Sequence, residues 1–74
     1  MKMGQESATA HSFVALCDLA VTYARHERWG MAIDCAVRAA GVAARMRNPV
    51  MHMDALALLA TINAAREEVS GGAL

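Results

Sequence analysis

Apolar residues dominate the chain from about residue 8 to residue 69, and the few polar ones return at helical intervals. Between residues 7 and 26, His11, Asp18, Thr22 and Arg25 follow at spacings of 7, 4 and 3, which puts them on one side of an α-helix. Phe13, Leu16, Leu19, Ala20 and Tyr23 cover the remainder. Ser7 or Thr9 can cap an orphan amide at its start. A charged elbow, His26-Glu27-Arg28, precedes Trp29-Gly30 and ends the first helix. A second helix is predicted over residues 30–47, where Asp34, Arg38, Gly41 and Arg45 form one narrow polar stripe. Asp34 stands one turn before Arg38, and Arg45 and Arg47 complement the C-terminal dipole. Asn48-Pro49 is the clearest punctuation: proline disfavours a helical residue before it and suits the first position of a new helix. A third helix is predicted over 49–69, closed by Ser70-Gly71-Gly72.

No alternating run and no Asn-Gly or Asp-Gly turn offers a strand. The expected fold is therefore all-α: a three-helix antiparallel bundle, or a helical hairpin plus a third helix, in one domain over 7–69. Residues 1–6 are expected to be disordered and 70–74 a flexible tail. Short connections make sequential helices antiparallel.

Composition sharpens this picture. Of 74 residues 57% are hydrophobic, with 17 alanines but one Phe, one Trp and one Tyr. A chain this short buries only about 60% of its unfolded surface. The apolar content therefore exceeds what three short helices enclose, which points to an apolar face covered by another chain, either a partner protein or a second copy in a homo-oligomer. The partner surface is expected on helices 1 and 3, at Phe13, Leu16, Val21, Leu56 and Leu59. The alanine-rich second helix suits close internal packing.

Net charge is zero, so nothing draws the chain at long range to nucleic acid or anionic lipid. Residues 25–47 do carry five arginines against Glu27 and Asp34. A solvated helix face accounts for that imbalance, and nucleic acid remains an alternative partner through Arg38, Arg45 and Arg47. Charges recur too often for a membrane span, and Asp18 interrupts the one run that could serve a secretory leader. A cytoplasmic chain is expected. Cys17 and Cys35 lack metal or CxxC spacing and suit small buried hydrophobes.

Other constellations yield to simpler readings. Met51-His52-Met53 holds soft-metal ligands, but consecutive helical residues diverge by about 100° and cannot share one ion. His11, His26 and His52 fall in separate segments. Neither cysteine gains a base, an orienting group and an oxyanion site, and Asp54, Glu67 and Glu68 do not pair for acid–base work. The expectation is a non-enzymatic chain without cofactor or metal.

One motif rises above composition. Leu16-x2-Leu19-Ala20-x2-Tyr23, then Ala32-x3-Ala36 and Ala39, resembles a single tetratricopeptide repeat, whose pattern is W-x2-L-G-x2-Y…A-x3-F…P. Trp29 falls at the bulky position after the turn. Small Ala20 and Ala32 let the helices approach, while Tyr23 and Trp29 fill the wedge beside the hinge. Leu16 replaces the first Trp, Ala20 the Gly, and Ala36 stands where a large aromatic belongs; Pro49 arrives about five residues late. The resemblance covers roughly residues 13–39, and a generic helical hairpin gives similar spacing. It implies a concave groove, lined by first helices, that binds peptides or helices. Short proteins of this look include co-chaperones of bacterial type III secretion needle subunits, which cover an aggregation-prone helix.

Overall fold

The computed structural model describes residues 9–71. Three helices make up nearly all of it: α1 (Ala10–Arg25), α2 (Trp29–Arg45) and α3 (Pro49–Gly71). Ser7, the predicted disordered segment 1–6 and the last three residues of the predicted tail lie outside the described residues.

Local chemistry explains where each helix begins and stops. Thr9 is the N-cap of α1, with extended backbone (φ −127°) and an Oγ1 that accepts the Ser12 amide at 3.1 Å. At α3 the Asn48 Oδ1 accepts the Met51 amide at 3.0 Å, and Pro49 takes the first helical position, where no amide is needed. The two connections are built alike. The Arg28 amide donates to the Tyr23 carbonyl (2.9 Å) and the Glu27 amide to Ala24 (3.0 Å); the Asn48 amide donates to Ala43 (3.1 Å) and the Arg47 amide to Ala44 (3.0 Å). Each is a Schellman turn. Its left-handed position is held by a non-glycine residue, Glu27 (φ 58°) or Arg47 (φ 56°).

These turns correct three predicted boundaries. The second helix closes at Arg45 rather than Arg47, because Arg47 must leave helical space for Asn48 to cap α3. It opens at Trp29, one residue early. The third helix continues through Ser70 and Gly71 instead of ending at Val69. Glycine lowers helix stability by about 1 kcal/mol without forbidding the conformation.

Three-residue connections fold each helix back on its predecessor, and α2 packs against both neighbours while α1 and α3 hardly touch. The alanines of α2 make that possible. Ala32, Ala36, Ala39 and Ala43 are wholly buried, joined by Cys35 and Val42 on one arc of the helix. Short side chains at a helix contact let the axes approach closely.

The core is split between the two ends of the molecule. At one end Phe13 inserts among Ala39, Val42, Ala43 and Ala55, with Leu16, Cys17, Met46 and Met51 around it. At the other, Ala20, Ala32, Cys35, Ala36 and Ile62 gather under Tyr23, Trp29, Leu58 and Leu59. Among the described residues no polar or charged side chain is buried, and no helix is long and apolar enough to cross a membrane. The contacts between helices in the core are therefore apolar.

Candidate functional site

Because α1 and α3 flank α2 without closing on each other, a groove opens between them. Val21, Ala24 and Arg25 form its α1 wall, and Leu58, Thr61, Ile62 and Ala65 its α3 wall. Trp29, the first residue of α2, lies at one end of it. The hollow measures about 230 Å³ and is almost wholly apolar. Thr61 adds no free donor, since its Oγ1 donates to the Ala57 carbonyl at 2.9 Å. Arg25 is the charged residue of the lining and sits in the last turn of α1, where it complements that helix's dipole. Toward the opposite end of the molecule, α1 and α3 bring Asp18 and Asp54 near Cys17. Burial first, and then those two carboxylates, push the Cys17 thiol above its usual value.

The other face carries a larger and more enclosed hollow of about 500 Å³ between α1 and α2. Ser12, Ala15 and Leu16 face Arg38, Gly41, Val42 and Arg45 across it. Arg38 is partly engaged, its Nε 3.9 Å from Asp34 Oδ2, in an exposed pair that adds little stability. Size favours this hollow as a site, and desolvation favours the smaller one. Apolar walls gain from being covered, whereas solvated arginines lose hydration when a neutral partner covers them.

The five residues predicted to bind a partner do not share one surface. Phe13 is a core residue: it is only 8% exposed, because the small side chains of Ala39 and Ala43 leave room for it to turn inward. Leu16 is half-buried against the same cluster and borders the arginine-lined hollow. Leu59 is half-buried against the second cluster. Leu56 is exposed on α3 but does not line the groove, and Val21 alone of the five does. Of the groove's other residues, the sequence marks Trp29 for hinge packing and Arg25 for the polar side of helix 1, and does not mark Ala24, Leu58, Thr61, Ile62 or Ala65. Leu58, Ile62 and Ala65 recur at i, i+4 and i+7, a helical stripe equal in strength to the one through Leu56 and Leu59. Of the hinge residues, Ala20 and Ala32 are fully buried, and half-buried Tyr23 and Trp29 pack on the cluster containing them.

Among the described residues no group of three or more His, Cys, Asp or Glu converges to hold an ion. Met51 packs against the first core cluster and its Sδ accepts from Asn48 Nδ2, while Met53 points to solvent. Cys35 is buried; burial and then Asp34 raise its thiol pKa, with Arg38 pulling the other way. Neither thiol is primed as a nucleophile. Comparison with protein-family models, curated proteins and solved structures finds no match to this chain.

Proposed function

We propose that this chain is a non-enzymatic protein-interaction module, a small adaptor, co-chaperone or accessory subunit. It receives a helical segment of a partner protein in the groove between α1 and α3. One observation carries the reading: an apolar groove stays open because its two walls pack on α2 and not on each other. A helix laid along it seats apolar residues at i, i+3 or i+4 and i+7. Each fully buried leucine-sized side chain contributes about 1.5–3 kcal/mol before the cost of association. The tetratricopeptide-like spacing supports the same reading, since it places the partner between first helices and makes α3 the first helix of an incomplete second unit.

The second reading is a homodimeric RNA- or DNA-binding protein using helix 2. What favours it is that Arg38 and Arg45 border the larger of these two hollows. Salt separates the two, because phosphate binding weakens steeply with ionic strength and an apolar interface responds little. The deciding experiment recovers the partner from the native host by co-purification and mass spectrometry, then repeats binding with surface variants. Val21→Glu and Thr61→Glu, both at exposed groove positions, should abolish binding without loss of helicity. Arg38→Glu and Arg45→Glu should leave it nearly intact. The reverse outcome makes the arginine stripe the working face.

A further inference from the structure

The α1–α3 groove leaves the outward side of α3 unexplained. Residues 55–65 contain no charge, yet only Ala55 and Ile62 of this helix are buried. Met53, Leu56, Ala57, Ala60 and Ala64 are all exposed and recur at 3, 4, 7 and 11 residues after Met53, so they form one continuous stripe. Met53 is 65% exposed and Leu56 41%. A helix with apolar residues around its whole circumference is normally covered on every side.

The charges at the ends of α3 say what covers it. Glu67, on the same stripe, and Glu68 lie near the C-terminus, where the helix dipole disfavours carboxylates. The first turn has no acidic residue, although carboxylates are favoured there, and Arg47 and His52 border a small notch beside it. The first turn of α3 therefore has no carboxylate of its own, while the stripe's carboxylate, Glu67, lies at the other end of the helix.

We infer that a second copy of this chain docks on the outward side of α3, with the two α3 helices antiparallel about a two-fold axis at the level of Ala57–Ala60. This pairing sets Leu56 against Ala60 and Met53 against Ala64 of the second copy, large beside small. It brings Glu67 of each copy to the first turn of the other, and the two-fold axis makes the match twice. A parallel pairing would instead set Glu67 against Glu67. The contact is independent of the groove between α1 and α3. One helix of 23 residues spans about 34 Å, and a single helix pair falls short of the roughly 1,200 Å² of a stable interface. The dimer is therefore weak and concentration-dependent.

Sedimentation equilibrium of the full chain from micromolar to millimolar concentration tests this. A monomer–dimer equilibrium is expected. Ala60→Glu places like charges at the two-fold axis and should raise the dissociation constant about a hundredfold or more, with helicity unchanged because Ala60 is exposed. Met53→Glu, at an equally exposed position, repeats the test should Ala60→Glu fold poorly. Glu67→Lys should weaken the dimer by a smaller factor that shrinks in high salt. A monomer at all concentrations overturns the inference, as does a dimer indifferent to Ala60→Glu and Met53→Glu. Tightening by Glu67→Lys overturns the antiparallel arrangement. A dimer broken by Val21→Glu alone assigns self-association to the groove instead.

Discussion

Helices α2 and α3 are both rich in alanine, yet six of the 17 residues of α2 are buried and only two of the 23 of α3. Composition does not separate them; the number of neighbours does. Lying between two helices, α2 presents small side chains to both, and its one polar stripe of Asp34, Arg38 and Arg45 keeps the opposite side in water. Packed on one side only, α3 exposes Val50, Met53 and Leu56 along with Ala57, Ala60 and Ala64. The central helix specifies the fold, while the outer one leaves apolar surface uncovered.

The contrast can be broken most sharply where α3 does contribute to the core. Ile62→Ala should cost about 3 kcal/mol by leaving a cavity in the second cluster, read as a lowered denaturation midpoint. An unchanged midpoint would mean that α3 is not anchored there. Ala36→Leu, at a fully buried position of α2, should destabilise by about 2 kcal/mol through overpacking. The matching change on the outward side of α3, Ala57→Lys, should stay within about 0.5 kcal/mol. Equal effects at the two sites would erase the distinction between the helices.

Smaller changes act at the turns and thiols. Replacing Glu27 or Arg47 by glycine should stabilise by about 1 kcal/mol, because each now holds a left-handed conformation that favours glycine. A loss of melting temperature in both variants would show that these side chains contribute more than their backbone strain costs. The smallest effect is a pH dependence. Both thiols are raised in the folded state above the ordinary value of 9.0, so the folded chain keeps protons that the unfolded chain releases. The associated stability is complete below that value and declines as pH rises past it toward the folded pKa values. Denaturation midpoints followed through this window should fall more steeply for the native chain than for a Cys17→Ala, Cys35→Ala variant.

Helix number, type and breaks could be read from the amino acids alone because their causes are local. Asn48 caps α3 through an amide three residues away, Pro49 needs no donor, and the charged connectors at 26–28 and 46–48 turn the chain within one helical turn. What escaped was the fate of individual apolar residues. Phe13 and Val21 lie on one helix and are equally suited to a partner surface, yet Phe13 fills a core cluster and Val21 lines the groove. Their difference follows from the azimuth at which α2 and α3 approach, which no spacing within α1 encodes. Likewise the period of 3.6 residues marked two stripes on α3 of similar strength, one through Leu56 and one through Leu58 and Ile62. Only the packing of α3 against α2 decided that the second faces inward, because burial belongs to pairs of surfaces while helicity belongs to the chain itself.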